Sequence, residues 1–293
     1  MTTTINGIIL GVNELDRIVK IKTRKRIYYV YFQRAMFNQF SQFFDLDNRI
    51  KLSIKTQNPQ TKKHRYLAIN VEIIQRHSLR KIIALFSMHT LAEDTQKFIN
   101  DLDYKLFLDL EMSMHPYRKD ANFIQEIIQV GYVIANKDDE IIKHYQTIIK
   151  PTIHPTLTKR TLKFLDITQE IVNQGVDFKT FYDEFYADIL KYNPAIVVWG
   201  KNDHLALKEA YQLYKMPSLT KKTRFVNLLN LHKTIYHLKN DLGLLKAYQL
   251  YGYEIDNQRH DAYEDALMTY KIFLGFKAVL NGLKSVAIEQ VKN

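Results

Sequence analysis

The sequence predicts two domains of different class, a small mainly β domain followed by an α/β domain whose central mixed sheet is flanked by helices. Three observations carry this. β-Branched and aromatic residues crowd the first 75 positions, whereas strand-like apolar runs alternate with helical spacing from Asp103 onward. The basic excess is also confined to one end. Residues 1–100 hold 17 Lys and Arg against 7 Asp and Glu, and the remaining residues hold 25 against 24.

In the first domain, period-two patterning and β propensity predict strands at Thr4–Val12, Leu15–Lys22, Ile27–Gln33, Ile50–Thr56 and Tyr66–Ile74. In the last of these, Leu67, Ile69, Val71 and Ile73 are expected on the buried face. Between the third and fourth strands, Met36, Phe37, Phe40 and Phe44 recur at helical spacing. Three strands, a helix and two strands is the element order of an OB-like barrel. Basic and aromatic residues interleave in KIKTRKRIYYVYFQR, as a surface that tracks a phosphate backbone and stacks bases requires. A basic domain spanning 1–76 is therefore expected to hold nucleic acid. A helical linker is expected over 77–102, from helical pieces at Leu79–Phe86 and Leu91–Ile99.

The second domain, 103–293, is expected to place strands at Lys105–Met112, Ile127–Ala135, Ile141–Ile149, Ala195–Gly200 and Phe225–Leu229. Helices are expected near Leu162–Asn173, Phe178–Lys191, His204–Tyr214, Leu242–Tyr251 and Ala262–Leu280. The absence of cysteine excludes disulfides and thiolate metal sites. No apolar run reaches the length of a membrane span, and the first residues lack a signal-peptide pattern, so a cytoplasmic protein without a membrane partner is expected.

The chemistry concentrates in three short stretches. In LFLDLEMSMH, alternation puts Leu106, Leu108 and Leu110 on one face and Asp109 with Glu111 on the other. Two close carboxylates in apolar surroundings repel and are poorly solvated, so they call for a proton or a cation. Oxygen ligands suit Mg²⁺ or Mn²⁺. In NPAIVVWGKNDHLALKEAY, Asp203 opens a helix after a buried strand, where it would serve as an N-cap, a ligand or both. In RHDAYEDALMTYKIF, Asp265 falls in the first turns of a helix and His260 lies at its start, with a side chain that can take a proton near neutrality.

Taken together, LDLE, WGKND and HDAYED, in this order and spacing, resemble the three motifs of the DEDDh 3′–5′ exonucleases, the DnaQ-like family with a ribonuclease-H-like fold. The resemblance covers roughly residues 104–280 and includes EIIQVGYVI and LKFLDITQEIVNQGVDF. WGKND, with FVNLLNLHKTIY and HDAYEDA, looks most similar to the KapD-type and histone-mRNA-trimming branch. It implies metal ligands at Asp109, Glu111, Asp203 and Asp265 and a general base at His260. It further implies two Mg²⁺ or Mn²⁺ ions, hydrolysis of phosphodiesters from a single-stranded 3′ end, and RNA ahead of DNA as substrate. Met112, Trp199 and Asn202 are the expected substrate contacts. Met112 stands where relatives often carry Thr, Asp166 where they carry Gly, and Asn227 where Asp is common; Asp261 and Glu264 read as capping or solvent-facing. Two other readings compete: a DNA proofreading or repair exonuclease working with a partner, and a nucleic-acid-binding protein with an inactive nuclease fold.

Overall fold

Inward-pointing aliphatics build the first of two compact units, Met1–Asp94 and Thr95–Asn293. The computed structural model describes residues 2–58, 64–77, 82–118, 122–220, 223–238, 240–254 and 260–288. Among them no helix is long and apolar enough to cross a membrane.

The first unit contains β1 (Thr2–Asn13), β2 (Ile18–Lys22), β3 (Ile27–Tyr31), α1 (Arg34–Phe40), β4 (Arg49–Thr56), β5 (Tyr66–His77) and β6 (Ile82–Ser87). The strands run in the order β3-β2-β1-β4-β5-β6 as an antiparallel sheet. β3 also pairs in parallel with β5 through Val30–Tyr66 and Tyr31–Leu67, so β1 to β5 close into a barrel. Ile9, Val19, Ile21, Val30, Ile50 and Leu52 fill it, and α1 adds Phe37 and Phe40 to the same core.

Two expectations are corrected in this unit. In β5 the buried residues are Ala68, Val71 and Ile74 rather than a strict alternation. Register shifts opposite Lys51–Leu52 and Ser53–Ile54 rotate the strand part-way along its length. The stretch expected to begin a helical linker is instead β6, antiparallel to β5 from Ile82–His77 to Ser87–Ile73. Its apolar run satisfies either period, and the free edge of β5 decides between them. The helix expected next is present as α2 (Met88–Asn100). Residues 79–81 of the corrected stretch lie outside the described ones.

In the second unit, β7 (Lys105–Met112), β8 (Ile127–Ala135), β9 (Ile141–Ile148), β10 (Ala195–Val198) and β11 (Phe225–Asn227) form one sheet in the order β11-β10-β7-β8-β9. β8 is antiparallel to both neighbours, whereas β10 runs parallel to β7 and β11 parallel to β10. The sheet is mixed, and its central strands β7, β8 and β10 are buried on both faces. Leu106, Leu108 and Leu110 share one core with α5 (Phe178–Tyr192) and α6 (Asn202–Leu213), through Phe181, Phe185, Leu207 and Tyr211. Phe107, Val133 and Val197 meet the other, built with α7 (Leu228–Tyr236), α8 (Leu244–Leu250) and α9 (Ala262–Leu280).

The helix expected over 162–173 is two short ones, α3 (Lys159–Leu165) and α4 (Gln169–Asn173). Asp166 ends α3 with φ +51°, a left-handed conformation that glycine adopts without strain. Thr168 then caps α4 by accepting from Ile171 N. The strand expected to Leu229 stops at Asn227, whose Oδ1 accepts from Asn230 N at 2.9 Å and starts α7.

Candidate active site

β7 supplies the first two acids. Asp109 pairs across the ladder with Gly131, and Glu111 with Gln129, on the sheet face that carries Phe107. The expected split of the strand is present, with Leu106, Leu108 and Leu110 on the opposite face. Beyond Phe107 the second core ends, and the two carboxyls occupy the space that follows.

Asp203 reaches them from α6. It is 6% exposed, and its Oδ1 accepts from Leu110 N at 3.0 Å. It is not an N-cap: Lys201 occupies that position, and Asp203 lies in the first turn. The hydrogen bond goes across to β7 rather than back to its own helix, which fixes the acid beside Asp109.

α9 brings the last pieces over β8. Its start lies so close to the strand that a Cβ on Gly131 would stand 2.2 Å from Tyr263 N and 2.3 Å from Ala262 C. Only glycine permits this approach. Gln129 ties the two elements together, its Nε2 donating to Asp261 Oδ2 at 2.6 Å and its Oε1 accepting from Ala262 N at 3.3 Å. Asp261 caps the helix, with Oδ1 accepting from Tyr263 N and Glu264 N; Glu264 is exposed. Asp265 thereby comes to rest in the first turn, facing the acids of β7. Glu111, His260 and Asp265 each offer a ligand atom within 4.8 Å of the others. His260 Nδ1 is 3.9 Å from Glu111 Oε1, and its ring stacks on Phe164 of α3 with centroids 4.1 Å apart and planes 18° from parallel.

The electrostatics follow from packing acids together. Burial first, and then Asp203, Asp265, Glu111 and Asp261, hold the Asp109 carboxyl well above the usual carboxylate range. Burial, with Asp265, Asp203 and Asp261 adding to it, pushes Glu111 up to about 7. Asp265 is pushed up to about 7 by burial and then by Asp261, Asp203 and Glu264. Asp203 reaches only about 6, because backbone amide hydrogen bonds, including that from Leu110, oppose its burial. Among the described residues, none of the four acids has a Lys or Arg ion-pair partner. A carboxylate cluster with no cation of its own fits a hard divalent ion.

A family profile described as exonuclease matches residues 106–273, more than half of the chain. The chain belongs to the exonuclease family. The expectation of an exonuclease family is thereby borne out, and the protein is a nuclease, a hydrolase. Members of this family generally use divalent metal ions. Over 169 residues it is 31% identical to the probable 3′–5′ exonuclease KapD of Bacillus subtilis (strain 168), covering 57% of this chain and 82% of that protein. Among solved structures it resembles the nuclease domain of 3′hExo, a DEDDh family member bound to rAMP. That match has a TM-score of 0.56 and 19% identity and covers 64% of this chain and 96% of the other. A 3′-exonuclease solved for its 3′-end-specific recognition of the histone mRNA stem-loop matches with a TM-score of 0.55 and 17% identity, over 62% of this chain and 84% of that one. These structures share the fold, which is ribonuclease-H-like.

The other residues singled out in the exonuclease sequence take different places. Met112 ends β7 on the leucine face and packs against the first core. Trp199 is half-buried; its indole N–H donates to Leu242 O at 3.0 Å and its ring meets His232 edge-on. Asn202 is exposed at the first residue of α6. Four residues beside the acids carry no catalytic signature of their own: Gln129, Gly131, Phe164 and, as a cap, Asp261. Asp261 was readable as a cap, and a lone glycine inside the apolar run IIQVGYVIA was a second signal, since it marks a close backbone approach. Phe164 had none, because an aromatic in a short helix usually packs in a core.

Proposed function

We propose that this exonuclease works in the 3′–5′ direction, releasing nucleoside 5′-monophosphates from single-stranded ends with Mg²⁺ or Mn²⁺ and favouring RNA. The observation that carries the reading is the convergence of Glu111, His260 and Asp265 within 4.8 Å, beside Asp109 and Asp203. Asp109, Glu111, Asp203 and Asp265 would hold two divalent ions. Bound there, such ions neutralise the acids, lower the pKa of a coordinated water and stabilise charge on the phosphate.

The chain's own groups account for the rest. His260 takes the proton of the attacking water, whose oxygen forms the new bond to phosphorus as the bond to the departing 3′ oxygen breaks. That oxygen is reprotonated from solvent. The Phe164 ring fixes the plane of the imidazole, so the base is aimed before substrate arrives. The preference for RNA rests on the form WGKND, which resembles the RNA-trimming branch; Met112, Trp199 and Asn202 remain the substrate contacts we propose, with Asn202 the most accessible.

In the same reading the first unit is OB-like and holds the strand. Closure of β3 on β5 with a helix between β3 and β4 supports that assignment. The β2–β3 surface pairs Lys20 with Tyr29, which is 57% exposed, and Lys22 with Ile27. Such a surface offers cations to phosphates and a ring to bases. The division proposed is therefore a strand-holding domain over 1–76, with β6 on its edge, and a catalytic domain over 103–293.

The test is hydrolysis of 3′-labelled single-stranded RNA and DNA in Mn²⁺ by wild type, Glu111→Gln and Asp265→Asn. Wild type is expected to release mononucleotides from the 3′ end, faster from RNA, and both variants to lose at least about a hundredfold. Equal digestion by all three proteins would remove the site assignment.

A further inference from the structure

A fifth acid of the exonuclease domain, Glu126, takes no part in the chemistry above. It immediately precedes β8 and is 2% exposed. Gln129, the ladder partner of Glu111, follows three residues later, about 10 Å along the strand. The Glu126 carboxylate is saturated with donors. Oε1 accepts from Thr152 N at 2.7 Å, Thr152 Oγ1 at 3.2 Å and the Tyr214 hydroxyl at 2.7 Å. Ile153 N lies 3.1 Å from both oxygens, and Oε2 accepts from His154 N at 2.9 Å. Three successive amides thus cradle one charge.

Every one of these donors is uncharged. Burial pulls the carboxyl up, but the His154 amide, the Tyr214 hydroxyl and the Thr152 and Ile153 amides outweigh it and hold the group below the usual carboxylate range. A buried charge is a poor device for stability, since apolar side chains of similar volume often serve as well. What it supplies is direction, because hydrogen bonds have preferred geometry and apolar packing has none.

That direction is imposed where three elements of the site meet. Glu126 N donates to Ser113 Oγ, and Ser113 N donates to Glu126 O, each at 2.9 Å, two residues beyond Glu111. Tyr214 is the C-cap of α6, whose first turn holds Asp203. The cradle at 152–154 ends four residues before Thr158, the N-cap of α3. Thr158 Oγ1 donates to Met114 O at 3.0 Å, and Thr161 Oγ1 accepts from Met114 N at 2.9 Å, so the start of α3 is tied down from both sides.

α3 carries Phe164, the ring on which His260 lies. Phe164 is 38% exposed, so no core of its own fixes the ring, and its place is inherited from the helix. Apolar packing of α3 rests on a small cluster in which Leu165 meets Ile128, Leu157 and Val172. Such contacts tolerate sliding and rotation; the directional bonds at the helix start do not.

We propose that Glu126 is a positioning residue for His260, fixing α3 through the amides of 152–154 so that the Phe164 ring lies against the imidazole. The kinetic consequence rests on the exonuclease reading; the positioning itself does not.

The first test needs no activity. A ring stacked this closely displaces the imidazole proton resonances upfield. The full chain is observed by NMR in EDTA at pH 8, with His260 assigned from the signals lost in His260→Gln. Phe164→Ala defines the unstacked position of these resonances. Glu126→Gln puts an NH₂ group where Oε2 accepts from Ile153 and His154, and is expected to move the His260 resonances a large part of the way to that position. Tyr214→Phe keeps the ring stacked on Phe178, with centroids 4.3 Å apart, and removes one donor, so it should move them the same way by less. Melting temperatures confirm that each variant is folded, and where Glu126→Gln does not fold, Tyr214→Phe decides alone. Unmoved resonances in the folded variants would overturn the proposal.

Hydrolysis in Mn²⁺ gives the second readout. Glu126→Gln is expected to lower kcat about fivefold with Mn²⁺ binding unchanged, and to lower it no further in the Phe164→Ala background, because both act through one ring. Equal falls in the two backgrounds, or weaker Mn²⁺ binding, would overturn the proposal by showing that Glu126 supports the acids or the fold at large. Shifted His260 resonances in a protein that hydrolyses nothing would instead uphold the positioning and remove the catalytic reading.

Discussion

The amide of Leu110 donates to Asp203 Oδ1 at 3.0 Å, joining β7 to α6 at the residue that separates Asp109 from Glu111. One carboxylate thus has two functions: an acceptor that holds two elements together and a charge in the acidic cluster. The two can be separated by mutation.

Asp203→Asn keeps an acceptor for Leu110 and removes the charge. It is expected to fold, to melt higher than wild type at pH 8 without metal because one buried negative charge is gone, and to lose at least about a hundredfold in hydrolysis. Asp203→Ala also leaves the Leu110 N–H unsatisfied, at a cost of about 1–3 kcal/mol, and should melt lower than the Asn variant. Melting curves of the three proteins in EDTA decide the matter: identical curves for Asn and Ala would mean that the hydrogen bond contributes nothing.

The raised acids predict an unusual pH profile. Asp and Glu in the unfolded chain titrate near 4, whereas Glu111 and Asp265 in the fold are pushed up to about 7 and Asp203 to about 6. Between those limits the native state binds more protons than the unfolded one. The contribution of these groups is therefore fully present below pH 4 and is lost as pH rises toward 7. In EDTA, restoring neutral side chains with Glu111→Gln/Asp265→Asn should flatten the fall in melting temperature from pH 5 to pH 8. Mn²⁺ should raise the melting temperature more at pH 8 than at pH 5, since protons compete for the same oxygens. A metal effect equal at both values would contradict the assignment of these acids as ligands.

Gly131 is predicted to be irreplaceable. In Gly131→Ala the new methyl would meet the backbone of Ala262 and Tyr263, which has no rotamer with which to yield. The expected result is a loss of about 2 kcal/mol or more in stability, with α9 displaced and hydrolysis sharply reduced. Wild-type melting together with wild-type activity would show that α9 does not pack here as described.

Phe164 and His260 should separate in kinetics. His260→Ala removes the proposed base and is expected to lower kcat by about 10²–10⁴-fold. Phe164→Ala removes only the ring against which the imidazole lies, so a smaller fall, about tenfold in kcat, is expected with Mn²⁺ binding unchanged. Phe164→Tyr should recover most of it. Loss of metal binding in Phe164→Ala would mean that the ring supports the acids rather than the histidine.

Most of the catalytic unit could be read from the residues because its central strands are buried on both faces and several of its helices, α5 and α9 among them, begin at a side-chain cap. Lys105–Met112 and Ile127–Ala135 were legible to the residue, as was Ala262–Leu280. Two of the misreadings share a cause. Residues 82–86 and 225–229 are short apolar runs in which periods of two and 3.6 cannot be told apart, so a neighbouring element decides. An open edge of β5 made the first a strand; the Asn227 cap ended the second as a strand and began α7 at Leu228. At the site, the acids and His260 stood out by charge and titration. Gln129 and Phe164 did not, because their effect lies in what they hold and not in what they are.

The position of α9 has a consequence for the timing of synthesis. Asp265, the cap on Asp261 and the histidine before it all arrive late, whereas Asp109 and Glu111 emerge from the ribosome long before them. A nascent chain folding from its amino end can form the barrel and much of the sheet while the cluster still lacks Asp265 and His260. On the site assignment proposed above, the chain therefore gains the capacity to hydrolyse only after α9 has been made.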